Sequence, residues 1–235
     1  MVKKWTWESI ADVLIEEFQH DVYEKGQKMP SENKMAVRFS VPRSEIRKSY
    51  ERLKELGYVY SMQGYGSFFS GRREKIRLSM NDESFTRKMA ALGLSFETQN
   101  CGCHKLHGDS LIHTMLQVEE GENVYKITRL RYFNHEPAAI HVSYLAEDLF
   151  PRIAEDGKQI TSVHDYIHSC GYQHLKSENV QLTVSSLTKK ERSLLQIKGY
   201  APSLVLTCQN ISQPSGTIVE VVRTVYRSDK FIFEF

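Results

Sequence analysis

The stretch from Lys28 to Phe69, KMPSENKMAVRFSVPRSEIRKSYERLKELGYVYSMQGYGSFF, constrains the chain more than any other. Pro30 restricts Met29 to an extended shape, so a helix can begin only after it. Ser31 is a suitable N-cap, and Glu32 places an acid in the first turn, where the helix dipole favours it. Met35, Ala36 and Phe39 form an apolar stripe. Ser40-Val41-Pro42 then breaks the period. Proline at the start of the next helix costs little, because its missing N–H would be an orphan there. Ile46, Tyr50, Leu53 and Leu56 define a third helix over 42–55, and Gly57 fits the left-handed exit. Residues 58–63 and 67–70 alternate around Gly64-Tyr65-Gly66, which suits a hairpin. Helix, tight turn, helix and hairpin, in that order, make a winged helix-turn-helix.

Charge supports the same reading. Residues 34–54 hold seven Lys/Arg against Glu45 and Glu51, whereas residues 76–235 hold 17 Lys/Arg against 18 Asp/Glu. One basic face on a chain of net charge +2 implies a single anionic contact surface rather than a general nucleic-acid coat. Upstream, Trp7, Ile10, Ala11, Leu14 and Phe18 predict an amphipathic helix over 7–22.

The rest reads differently. Residues 70–84 are polar and aperiodic, so the expected organisation is a DNA-binding domain at 1–70, a linker at 71–84 and a second domain at 85–235. Strands are expected at 97–105, 123–133, 138–145, 178–186, 203–211, 217–227 and 231–235. Helices are expected at 84–92, 109–117, 147–154, 162–170 and 188–197. Strands mostly neighbour strands, so this half is α+β with a mainly antiparallel sheet.

Cys101, Cys103, Cys170 and Cys208 are too few for a disulfide scaffold. Cys101-Gly102-Cys103-His104 with His107 is tighter than structural zinc spacing, and strand alternation puts both cysteines on one face as ordinary thiols. No cofactor or metal is expected. No signal peptide or apolar run of membrane-spanning length is evident, which points to the cytoplasm.

Several spaced motifs resemble the GntR family of bacterial transcription regulators. They are Pro30-Ser31-Glu32; Val41, Arg43, Ile46 and Arg47; Leu53 with Gly57; and the wing Gly64, Gly66, Ser67 and Phe68. The second half resembles the UTRA effector-binding domain of the HutC subfamily, which is similar in fold to chorismate lyase. The matching residues are Arg129–Arg131, Glu136-Pro137-Ala138, Ser162 with Tyr166, and Glu220, Tyr226, Arg227 and Asp229. The chain departs from the family pattern at Pro42 and Glu45, where Ser and Thr are usual, and at His141 and His164, where Glu and an aromatic are common.

The resemblance implies a homodimer that binds double-stranded operator DNA, in most such proteins as a repressor, and releases it when a small anionic effector such as a sugar phosphate or organic acid binds. Arg43 and Arg47, four apart, share the leading face of the third helix, and an arginine fork matches guanine O6 and N7. Ser44, Glu45 and Lys48 lie beside them, with Glu45 a candidate acceptor from cytosine. Ser31 and Arg38 are expected at phosphates. Gly64 and Gly66 let the wing approach the minor groove with Tyr65 at its tip.

In the strand 123–133, Arg129 and Arg131 interrupt an otherwise apolar or aromatic face. Burying guanidinium without a partner is costly, so that face meets an anion, a protein carboxylate or water. Ser162, at a helix start, adds a second candidate anion contact, and Glu220 and Tyr226 share a face of the last long strand. His141 and His164 complete the expected effector-binding set. An enzyme of the chorismate lyase type fused to a DNA reader is the alternative, against which stands the absence of a nucleophile–base constellation. A second domain serving dimerisation alone is a third reading.

Overall fold

The computed structural model describes residues 5–71, 74–77, 96–108, 110–133, 135–197, 202–213 and 215–234. It divides into two compact units. One is built on the chain up to Ile76 with Asp229–Ile232, the other on Arg77–Ile197 and Pro202–Ser228.

In the first unit, helix α1 spans Trp7–Gln19. Thr6 and Ser9 close a reciprocal capping box at its start. It ends three residues before the predicted limit because Asp21 adopts a left-handed conformation (φ 57°) that the helix cannot continue through. Helix α2 spans Glu32–Phe39, with the Ser31 hydroxyl accepting from the Lys34 N–H at 3.3 Å. Ser40, also left-handed, terminates it, and α3 runs from Arg43 to Glu55 behind Pro42. Ile10, Leu14, Met35, Ile46 and Leu53 are essentially inaccessible and form the centre of the core. Ser49 is equally buried on α3. It is tolerated because its hydroxyl donates to the Trp7 carbonyl at 2.7 Å and the Glu45 carbonyl at 3.0 Å.

The wing is strand β1 (Val59–Met62) antiparallel to β2 (Gly66–Phe69), with Met62 opposite Gly66. The segment before α2 pairs with it too. Gly26 donates to Phe69, Met29 donates to Ser67 at 2.8 Å, and Lys28 bridges Phe68. Sequence pattern alone left this isolated bridge to the wing unseen.

Strand β3 (Glu74–Arg77) falls inside the stretch expected to be a linker, and pairs with β10 (Phe231–Glu234). Its one apolar residue gives no periodic signal, and its partner is remote in sequence. The helix expected at 84–92 and the rest of that linker from residue 78 lie outside the described residues.

The second unit is a six-stranded antiparallel sheet in the order β4-β5-β6-β9-β8-β7. The strands are β4 Phe96–Lys105, β5 Val124–Phe133, β6 Glu136–Ala146, β7 Leu175–Ser186, β8 Pro202–Ser212 and β9 Thr217–Arg227. Helix α4 (Ser110–Leu116) and α7 (Lys189–Leu194) pack with one apolar cluster around Leu130, Val142 and Val225. Helix α5 (Ile153–Asp156) and α6 (Val163–Ser169) pack with another around Ile127, Leu145 and Val219. These clusters lie on opposite sheet faces, since Leu130 and Ile127 differ by an odd number of strand positions.

The helix expected at 147–154 is a turn followed by α5. Phe150 is fully buried, and Pro151 after it disfavours helical geometry at residue 150. The cysteine expectation is corrected as well. A bulge between Asn100 and Cys103, with Gly102 at φ 122°, breaks the alternation. Cys101 is therefore exposed, while Cys103 packs into the α5 side of the core. Burial pushes the Cys103 thiol up, so it is a packing group. Among the described residues no group of His, Cys, Asp and Glu is arranged to hold a metal, and no helix is long and apolar enough to cross a membrane.

Candidate functional site

Two places gather the residues singled out by sequence. The first is a groove of about 370 Å³ between the start of α2, the start of α3 and the wing tip. Ser31, Arg43, Gly64, Tyr65 and Gly66 all line it, and so does Lys28, which sequence reading passed over. Lys28 is placed there by its bridge to Phe68, a backbone event without a side-chain signature. The wing tip turns through Gly64 (φ 79°) and Gly66 (φ 109°), and a Cβ on Gly66 would stand 3.3 Å from the Lys28 Cε. The positive φ favours glycine at 66, whereas the flexible end of Lys28 could yield to a Cβ. Tyr65 is largely exposed at the tip, and Tyr50 below the groove donates to the Pro30 carbonyl at 2.7 Å.

Glu32 is the organising acid of this face and was not anticipated as such. Arg43 Nε donates to its Oε2 at 2.6 Å, and Arg47 approaches the same oxygen at 3.6 Å. Burial alone would raise the Glu32 carboxyl, but the hydrogen bonds and charges of Arg43 and Arg47 outweigh it and hold the group below the usual carboxylate range. Both arginines and Lys48 remain more than half exposed, and Ser44 is exposed beside them. Arg38 sits apart from the groove. It forks onto Glu17 of α1 and lies over the Phe39 ring, 4.9 Å from its centroid.

Glu45 departs most from expectation. One carboxylate oxygen accepts the Trp7 backbone N–H at 3.1 Å and the other takes Lys48 Nζ at 3.1 Å. It therefore caps the first turn of α1 from α3, and a base-reading role would require it to give up both partners. Glu45→Ala is expected to destabilise the first unit by about 0.5–2 kcal/mol, the usual cost of losing a helix cap. Thermal melting of the variant checks this, and base preference at the operator should stay unchanged.

The second place is on the sheet face under α5 and α6. Strand register puts Arg129 opposite His141, and His141 opposite Thr224; likewise Arg131 faces Ala139, which faces Tyr226. Glu220 lies on the same face of β9, opposite Asn210. Arg129, Arg131, Glu220, Thr224 and Tyr226 are buried. Arg129 donates to Ser143 Oγ at 2.8 Å and to the Thr161 carbonyl at 3.3 Å, while its Nε has no hydrogen-bond partner among the described residues. Glu220 Oε2 accepts from Asn210 Nδ2 at 2.7 Å, and its Oε1 likewise lacks a partner among those residues. Burial and the neighbouring Arg131 push Arg129 down to about 9, with Glu220 opposing; burial also lowers Arg131. Arg129 therefore stays cationic at neutral pH, in a place where an additional anion would be strongly favoured. Burial raises the Tyr226 phenol, so it is a neutral donor there.

His141 is half-buried, and its Nδ1 lies 3.1 Å from Thr224 Oγ1. Burial, then Arg129 and Arg131, hold the imidazole well below its ordinary 6.5. An unfolded chain would bind a proton there below about 6.5 while the native protein would not, so stability is complete above that pH and declines as the pH falls towards the depressed native value. His141→Asn should remove part of this acid sensitivity, seen as a smaller drop in melting temperature between pH 7.5 and 5.5.

Ser162 caps α6, its hydroxyl accepting from the Asp165 N–H at 3.3 Å. It adjoins the cluster through Thr161, the residue that Arg129 holds. His164 stacks on His168 one turn along α6, with ring centroids 4.2 Å apart. Sequence reading missed Ser143, Thr224, Asn210 and Asn100. Asn100, opposite Arg129 on β4, donates to the carbonyls of Gly157 and Ile160 and fixes the loop before α6. The i±2 spacing of Ser143 from His141 and of Thr224 from Tyr226 was the available signal.

Comparison with known proteins shows the family and the fold. Residues 6–69 match the gntR family of bacterial regulatory proteins and residues 91–232 match the UTRA domain. The HTH-type transcriptional repressor NagR of Bacillus subtilis is 27% identical over 206 residues, covering 87% of this chain and 83% of that protein. The mannosyl-D-glycerate transport/metabolism system repressor MngR of Escherichia coli is 20% identical over 234 residues, covering 99% and 96%. The crystal structure of PhnF from Mycobacterium smegmatis superposes with a TM-score of 0.62 at 21% identity, covering 95% of this chain and 96% of that one, and shows the shared fold. With a winged helix-turn-helix carrying its basic groove and an antiparallel sheet carrying a buried arginine cluster, the chain belongs to the GntR family of bacterial transcription regulators and has a UTRA effector domain.

Proposed function

We propose that this regulator is a homodimeric, HutC-type repressor of the cytoplasm, released from a roughly palindromic operator by a small anionic metabolite. The observation that carries the reading is the buried Arg129 and Arg131 on one sheet face with Glu220 beside them. Buried guanidinium groups suit phosphate or carboxylate, and a carboxylate with an unfilled oxygen suits a hydroxyl or amine. A sugar phosphate or a sugar-like organic acid offers both. MngR, named for a mannosyl-D-glycerate system, supports a ligand that joins a sugar to an anionic group.

On the DNA side, Arg43 and Arg47 read base edges or adjacent phosphates. Ser31, Lys28, Ser44 and Lys48 hold phosphates, and the wing at Gly64, Tyr65 and Gly66 enters the minor groove. The two-fold symmetry of a dimer fits a two-fold operator. Effector binding shifts the population of DNA-competent states only insofar as the ligand prefers one of them.

The test is a thermal-shift screen of the full chain against phosphorylated sugars and organic acids, followed by operator titration with each stabilising compound. Selective stabilisation with weakened operator binding is expected. Stabilisation by no anionic compound, or turnover of the compound that binds, would overturn the reading.

A further inference from the structure

His141 stands where it can sense the charge of whatever the cluster holds. It is directly across the strand pair from Arg129 on β5 and across the next from Thr224 on β9, so all three side chains share one face. Cross-strand neighbours of this kind have Cβ atoms about 4.5–5.5 Å apart. Thr224 Oγ1 engages Nδ1 at 3.1 Å, and Nε2 is the second ring nitrogen that protonation can use. Unlike Arg129, Glu220 and Tyr226, His141 is only half-buried, so a proton can reach it.

We propose that His141 is the proton-accepting member of the ligand cluster. An anion that enters beside Arg129 and Arg131 draws a proton from solvent onto the imidazole, so the filled site carries one more positive charge than the empty one. This rests on the effector reading above, and adds a residue and a property to it.

The electrostatics favour the step. In the protein without ligand, two guanidinium groups face the ring, so a third cation beside them is disfavoured. A divalent anion cancels those two positive charges and so removes the penalty. The other ionisable groups nearby are accounted for element by element. Glu220 and the phenol of Tyr226 come from β9, and Cys208 from β8, whose thiol burial pushes up to about 12. From β4 the uncharged Thr98 and Asn100 share the face, and so, beyond the bulge, does Cys103, whose thiol burial pushes up. Over the sheet, α6 carries His164, Asp165, Tyr166 and His168, and α5 carries Glu155 and Asp156. None of these takes the cross-strand position that His141 does.

Sulfate is the suitable probe, because it remains a dianion across the working range and brings no proton of its own. Calorimetric titration of the full chain with sulfate, in two buffers of different ionisation heat, measures protons taken up per ion bound. The expected result is a fractional uptake of up to one proton near neutral pH. Affinity should then rise as pH falls through the bound-state value of His141, by at most about tenfold per pH unit, and level off below the unbound value. His141→Asn retains a partner for Thr224 but does not titrate; it should bind sulfate with no uptake and a flat pH profile. His141→Gln repeats the test should the first variant fold poorly.

Arg129→Met separates the two levels of the argument. If wild type takes up sulfate in an Arg129-dependent way but without a proton, or if the uptake survives in both His141 variants, the inference is wrong and the anion site stands. If sulfate fails to saturate, or binds equally well to Arg129→Met, the anion site itself is wrong and the inference falls with it.

Discussion

Arg47→Ala is expected to weaken operator binding by about 1–3 kcal/mol, roughly ten- to hundredfold, with little change in the folded protein. The side chain is more than half exposed, and its contact with Glu32 is a loose 3.6 Å. Exposed ion pairs of that kind contribute little to stability, so thermal melting should shift by no more than a surface substitution usually causes. Position argues for the large effect on DNA. Arg47 lies one turn into α3, on the same face as Arg43 and beside the groove that the wing and the start of α2 enclose. Titrations at several salt concentrations tell which contact is lost. A base contact leaves the salt dependence nearly intact and relaxes preference at one base pair. A phosphate contact weakens all sequences alike and lowers the salt slope by about one. Wild-type affinity in the variant would remove Arg47 from the interface.

The second large effect is expected at Arg129. Arg129→Met should leave operator binding intact, weaken release by the effector at least about tenfold, and lower stability only modestly. Charge-assisted hydrogen bonds contribute about 1.5–3 kcal/mol each, so loss of one or two weakens an anionic ligand at least tenfold. The small stability effect follows from burial. The guanidinium is almost wholly shielded from water, its Nε is unsatisfied among the described residues, and Arg131 lies on the same strand face two residues on. Removing that charge relieves its crowding with Arg131, but it also takes the donor from the buried Ser143 hydroxyl and the Thr161 carbonyl and a counter-charge from Glu220, so the opposing effects leave a modest net loss. Melting without ligand, paired with effector-driven release of operator, checks both halves. A strongly destabilised variant would mean that Arg129 is a structural strut first.

The helix-turn-helix was legible because each of its signals is local. Ser31 as cap, the break at Ser40 to Pro42 and the glycines of the wing act within a few residues of where they stand, and the structure uses each as read. The strands of the second unit were legible by alternation. What escaped were non-local events. Lys28 joins the wing through backbone pairing, and β3 finds its partner some 150 residues on. Glu45 turned out to be the cap of another helix, which no spacing within α3 could reveal. In the ligand cluster, Arg129, Arg131, Glu220 and Tyr226 drew notice as polar groups on strands expected to be buried. Ser143 and Thr224 did not, since a small hydroxyl on a strand is unremarkable until register sets it diagonal to a guanidinium or opposite an imidazole.

Glu32 gives the basic face a property of its own. It accepts from Arg43 Nε at 2.6 Å and lies 3.6 Å from Arg47, an internal carboxylate oxygen set where a phosphate oxygen could otherwise pair. In the proposed binding mode, a phosphate that pairs with Arg43 through Nε takes the place of that carboxylate oxygen. Random sequence, which offers phosphate alone, gains little from the exchange. A cognate site, in the same proposed mode, adds base contacts to that exchange.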